Sequence, residues 1–166
     1  QAIEASNRSL AVEAALERVR AQALGMQSSD QLSGLTSILF EQFCGLGYPV
    51  RSLAIALQDS TFTTKEFWVE YEDGRKFYRQ MPGVYGPRLR ETAEETNRAR
   101  STGEAWCVFE RQGEELREWV RELHQTAGSS AEDTEEAVRL APERAVIYRV
   151  FYQRGFIEFG IKDCLA

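Results

Sequence analysis

The chain has 166 residues, 43% of them hydrophobic and 28% charged, and its 26 acidic side chains outweigh 20 basic ones to leave a formal net charge of −6. That length suits one domain burying roughly two-thirds of its unfolded surface around a single core. Acids scattered along the chain exclude the clustered basic face that nucleic-acid binding requires, and no apolar run approaches the roughly 20 residues that span a bilayer.

In chain order, Ala2, Ala5, Ser9, Val12, Leu16, Val19, Ala23 and Met26 fall at alternating three- and four-residue spacing. This is a heptad seam, weak at its start and strong from Val12 onward. Glu13, Glu17, Arg18 and Arg20 flank it as they would a solvated two-helix interface. Residues 1–27 are therefore expected to form a helix that dimerises through Val12, Leu16, Val19, Ala23 and Met26, although a helix packing on its own domain would carry the same pattern. Residues 28–166 read as the domain proper. Ser28 followed by Gln31 is a capping-box signature that restarts the helix. Leu32, Leu35, Leu39, Phe43 and Leu46, with Ile38 and Phe40, then make a face wide enough to cover a sheet. Gly45, Gly47 and Pro49 end it.

The period next changes from 3.6 to 2. Leu53, Ile55 and Leu57 alternate with Ser52, Ala54 and Ala56, which predicts a strand with one bulky and one small-residue face. A polar turn over Asp59–Lys65 leads to a strand at Phe67–Tyr71, and Asp73-Gly74 predicts a tight hairpin into Lys76–Gln80. The loop Met81–Pro87 precedes a helix over Pro87–Arg100 whose inward face is only Leu89, Ala93 and Thr96. A helix with so few anchors is expected to be mobile or to lie over a cavity. A fourth strand over Glu104–Glu110, a strong helix over Glu115–Ala127 and a short acidic helix over Ala131–Leu140 follow. Two last strands, Ala145–Tyr152 and Phe156–Ile161, form a hairpin bulky on both faces and are expected to be central and covered on both sides.

The predicted fold is α+β: an antiparallel sheet of about six strands, with the N-terminal helices on one face and the middle helices and loops on the other. Ala54 and Ala56 would leave room on one side of the sheet, and a cavity there is the default ligand site.

Leu16-Glu17-Arg18-Val19-Arg20-Ala21, then Ala23-Leu24, Met26 and Ser28-Ser29-Asp30-Gln31-Leu32, is similar to the entry helix of a GAF-like family. Its members stand, often in tandem, ahead of histidine kinase, nucleotide cyclase or PP2C-type phosphatase domains. The closing Phe151-Tyr152-Gln153-Arg154-Gly155-Phe156-Ile157 resembles that family's last hairpin. Between these anchors only the order of elements matches. The resemblance implies a non-catalytic sensory or regulatory domain of a bacterial signalling protein, two-component systems included, cytoplasmic, dimeric through helices at its ends and covalently linked to an output domain. It implies no particular ligand or cofactor. The Cys-His pair of bilin-binding GAF domains and the Asn-Lys-Phe-Asp-Glu run of cyclic-nucleotide-binding ones do not occur.

Chemistry-bearing residues are few. His124 is the only histidine, so a multi-histidine metal site is not available, and a surface or edge-of-core position is expected for it. Cys44, Cys107 and Cys164 share no close spacing, and their odd number suits a reducing compartment. The N-terminus, carrying Glu4 and Glu13, lacks the basic region and apolar core of a signal peptide, so a cytoplasmic location is expected. What remains is aromatic: Trp68, Tyr78, Tyr85, Trp106 and Trp119, with Arg149 as a buried cation, would line a pocket for an anionic or planar small ligand. The alternatives stay open that these rings simply fill the core and that the module is a ligand-free spacer between signalling domains.

Overall fold

Alternation of side chains along each strand decides the architecture, because it sends every second residue to one of two helical layers. The computed structural model describes residues 2–58, 65–83 and 85–161. Its elements are α1 (Ala2–Gly25), a 3-10 turn (Ser29–Gln31), α2 (Leu32–Gly45), β1 (Val50–Gln58), β2 (Lys65–Tyr71), β3 (Lys76–Met81), α3 (Pro87–Ser101), β4 (Trp106–Gln112), α4 (Gly113–Thr126), α5 (Ala131–Leu140), β5 (Arg144–Tyr152) and β6 (Gly155–Ile161). The six strands pair antiparallel in one open sheet of order β3-β2-β1-β6-β5-β4. The fold is thus α+β, as the element order predicts. The Asp59–Lys65 turn lies outside the described residues except for Lys65, which opens β2, and Cys164 lies outside them too.

On one face α2 covers β1 and β2. Leu32, Leu35 and Leu39 pack there on Val50, Leu53, Ile55 and Trp68, with Phe43 and Phe159 in support. Burying such side chains yields about 1.5–3 kcal/mol each, so this apolar layer is a main source of the fold's stability. Val19 of α1 and Met26 just beyond its end pack against the same cluster, and Arg18 Nη1 donates to Gln42 Oε1 on α2 at 2.9 Å. That placement corrects the expectation of one outward seam. Val12, Val19 and Met26 are half-buried, while Leu16 (47% exposed) and Ala23 stay in solvent. Ile3, Leu10 and Leu24 are also exposed, so apolar residues occupy two sides of α1. The capping box does not form. The Ser28 side chain makes no cap hydrogen bond, and Gln31 Oε1 accepts from the Gln27 N–H at 2.6 Å, one residue earlier than a capping box requires.

The closing hairpin departs from expectation in its coverage. β6 is central, but β5 lies beside the edge strand β4, and on the α2 side Trp106, Val108 and Val150 remain exposed because α2 lies over β1 and β2 and touches β6 at Phe159 without extending over β5 and β4. The turn end of the hairpin is held to β1 at close quarters. Tyr152 Oη donates to the Ala56 carbonyl at 2.6 Å, and a Cβ on Gly155 would stand 1.8 Å from that same oxygen. Only glycine fits there.

The second layer is α3, α4 and α5. Met81, Leu89, Phe109, Leu116, Trp119 and Ile147 form its core. α3 buries Leu89, Thr92, Thr96 and Ala99, so Leu89 and Thr96 of the expected inward face are joined by Thr92 and Ala99.

Candidate ligand cavity

β1 presents Ser52, Ala54 and Ala56 on the face opposite Leu53 and Ile55, and β6 presents Gly160 beside Ser52. These small residues sink the floor of the sheet. The bulky members of this face, Phe67, Val69, Met81 and Ile147, stand around the depression, and Leu89, Leu116, Trp119 and Leu123 close it from above. The result is a cavity of about 220 Å³ between the sheet and α3–α5, at the place the small-residue face of β1 predicts.

The helix over the cavity is fixed by polar contacts rather than by apolar bulk. Trp119 Nε1 donates to Thr92 Oγ1 at 3.1 Å. Arg149 Nη1 donates to Thr96 Oγ1 at 2.6 Å, and Arg149 Nε donates to Glu158 Oε2 at 2.6 Å. The same guanidinium lies 4.5 Å from the Phe156 ring centroid and 4.9 Å from that of Phe109. Arg111, buried on β4, ion-pairs with Glu95 of α3 and Glu115 of α4, each at 3.3 Å. At the start of α3 the Glu122 carboxylate accepts from the Leu89 N–H at 3.0 Å, satisfying a helix-terminal donor. Gly86 leaves space for that carboxylate, since a Cβ there would meet it at 2.6 Å.

Lys65 lies on the cavity wall and is only 5% exposed. Its Nζ stands 5.5 Å from the Tyr85 ring centroid and 5.9 Å from that of Phe156. Among the described residues no acid lies within ion-pairing distance of it. Burial, and then the neighbouring Arg149 charge, pull its ammonium down to about 8, with Glu158 opposing. His124, also on the wall, is held down to about 4 by burial and by Arg79, and its Nδ1 has no hydrogen-bond partner among the described residues. It is therefore neutral at pH 7. Burial pushes the half-buried Cys107 thiol up to about 11, which keeps it protonated and unreactive. Among the described residues no group of three His, Cys, Asp or Glu side chains is placed to hold a metal ion.

Of the six residues expected around a pocket, the structure brings three together at the cavity: Tyr85, Trp119 and Arg149. The other three stand on the opposite face. Trp68 pairs with Ile55 across β1 and β2 and belongs to the α2 core, and Tyr78 lies tilted beside it with ring centroids 5.2 Å apart, itself 56% exposed. Trp106 is 53% exposed on the edge strand, next to Tyr148. Strand parity is the physical reason: an error of one residue in register moves a side chain to the other side of the sheet. Sequence reading missed Lys65, Thr92 and Glu158. For Lys65 a signal existed, since the alternation Phe67, Val69, Tyr71 extends back to 65 on the same face.

Among the described residues no helix is long and apolar enough to cross a membrane. Comparison with protein-family models, with curated proteins and with solved structures gave no match.

Proposed function

We propose that the chain is a GAF-like sensory or regulatory module of a signal-transduction protein, binding a small molecule in the cavity between the sheet and α3–α5. The observation that carries this reading is the cavity itself: about 220 Å³, walled by apolar and aromatic side chains, with a few buried polar groups converging on it. The six-stranded antiparallel sheet, with α1 and α2 on one side and α3–α5 on the other, supports the GAF-like resemblance carried by residues 16–32 and 151–157. Binding rather than turnover is favoured because the nucleophile candidate at this face, Cys107, is held as the protonated thiol.

A ligand that prefers one seating of α3 on the sheet would bias the packing of β1 and β6 against α2, and through α2 the placement of α1, by no more than its differential affinity for the two arrangements. Homodimerisation through the solvent flank of α1, Leu16 and Ala23 with Leu10 and Leu24, would pass that bias to a covalently linked output domain in the cytoplasm. Replacing Leu16 and Leu24 together with Asp should then lower the sedimenting mass from two chains to one. A mass unaltered by both changes removes α1 from the interface.

The sensing role is tested by a thermal-shift screen of small metabolites on the wild type and on Ala54→Leu, which fills the cavity from its floor. Compounds that stabilise the wild type should fail on the variant. If no compound distinguishes the two, the cavity is not a ligand site and the chain is a spacer module.

A further inference from the structure

Lys65 and Arg149 are two cations in the wall of the cavity, and Glu158 is the acid beside them. Glu158 is engaged by Arg149 at 2.6 Å, and Arg149 also holds Thr96 and lies between two phenylalanine rings. That guanidinium is already paired with an acid. Lys65 is not: 5% exposed, it faces the rings of Tyr85 and Phe156, and among the described residues it has neither a hydrogen bond nor an ion pair. A buried ammonium without a partner is costly to the folded state, and an oxyanion in the cavity would supply the missing partner. Phe67, Met81, Leu116, Trp119 and Ile147 make an apolar stretch of the wall that suits the body of such a ligand, and Arg75, Arg79 and Asp73 also line the cavity. Size narrows the class further. An apolar cavity of roughly 150 Å³ takes a benzene molecule, so about 220 Å³ takes one ring or a short chain bearing an acid group, and not a nucleotide.

Resting on the reading of this cavity as a ligand site, we propose that its ligand is a small organic monoanion, a single-ring or short-chain carboxylate whose acid group pairs with Lys65. Together with Arg149 and Glu158 such an anion makes the buried group electrically neutral. A cation would raise the charge of the site, and a neutral isostere would leave Lys65 unpaired.

The test uses isosteric pairs, benzoate against benzamide, phenylacetate against phenylacetamide and hexanoate against hexanamide, titrated calorimetrically into the wild type and into Lys65→Met. At pH 7 at least one carboxylate should bind tenfold or more tightly than its amide, and Lys65→Met should abolish that preference. As a check independent of the variant's folding, the wild-type affinity for the same carboxylate should fall at least fivefold between pH 7 and pH 10. Lys65 loses its proton over that range, facing Arg149 from β5, Glu158 from β6 and Tyr85 from the loop before α3. Amides that bind as well as their acids, or an acid affinity flat with pH, overturn the carboxylate assignment and leave the cavity as a site for neutral ligands. If neither acids nor amides bind, the assignment falls, and a metabolite screen equally blind to Ala54→Leu then removes the sensing role as well.

Discussion

The two faces of the sheet are built by opposite means. Toward α2 the strands present Leu53, Ile55 and Trp68 to Leu32, Leu35 and Leu39, and the space is filled with apolar side chains. Toward α3–α5 the same strands present Ser52, Ala54, Gly160, Lys65, Arg149 and Glu158, and the space is partly open, its roof tied by threonine hydroxyls to arginine and tryptophan donors. One strand, β1, serves both roles because its alternation of bulky and small residues is strict. The lesson is that stability and binding are apportioned by strand parity: the filled face can hold the fold while the other carries a buried charge and a void.

The sharpest way to break this contrast is to exchange sizes at adjacent residues of β1. Leu53→Ala, on the filled face, should cost about 3–4 kcal/mol in urea denaturation, the range for a fully buried leucine. Ala54→Leu, one residue on but facing the cavity, should change stability by less than about 1 kcal/mol, because the added atoms enter empty space rather than overpack a core. Equal losses at the two positions would mean that both faces are filled.

Lys65→Met should come next in size and have the opposite sign. The lysine is lowered from 10.5 in the unfolded chain to about 8 in the folded one, so between those values the unfolded state binds more protons and stability rises with pH. Below pH 8 the charged lysine costs the folded state its full amount, about 3 kcal/mol, and the cost fades toward pH 10.5. The methionine variant should therefore be more stable than the wild type at pH 7, with the difference shrinking steadily up to pH 10. A constant difference would mean that Lys65 is solvated in the folded protein.

The smallest effect is expected at His124. Its folded value of about 4 lies below the ordinary 6.5, so the neutral ring is required by the fold and stability is lost as pH falls from about 6.5 toward 4. His124→Phe should flatten the denaturation midpoint over that window while leaving it little changed at pH 7. An acid limb that persists in the variant would assign the loss to carboxylates instead.

Much of the fold is legible in the residues. The switch from the 3.6-residue period of α2 to the twofold alternation of Leu53, Ile55 and Leu57 marks the helix–sheet boundary, and Asp73-Gly74 marks the hairpin. Ala54 and Ala56 even point to the side on which the cavity opens. What they do not encode locally is register. Trp68 is assigned to the α2 face by its pairing with Ile55, and Trp106 by its place opposite Val150 on an edge strand, and neither pairing follows from the strand's own sequence. On α1, apolar residues on two sides fit an inward and an outward seam alike, so the choice between them is made by α2 and the sheet. Thr92 was hidden for a different reason: unlike Thr96 it lies outside the expected inward face, and it reads as a surface polar residue until Trp119 is placed against it.

Three tryptophans sample the three environments: Trp68 in the filled core, Trp106 on the open edge and Trp119 at the cavity. The indole N–H signals of a nitrogen-15-labelled sample, followed while the tightest-binding carboxylate is added, therefore test the central claim most directly. The account predicts that the Trp119 signal shifts with saturation, its bond to Thr92 being part of the cavity roof, while Trp68 and Trp106 stay in place. A shift at Trp68 or Trp106 with Trp119 unmoved would contradict it.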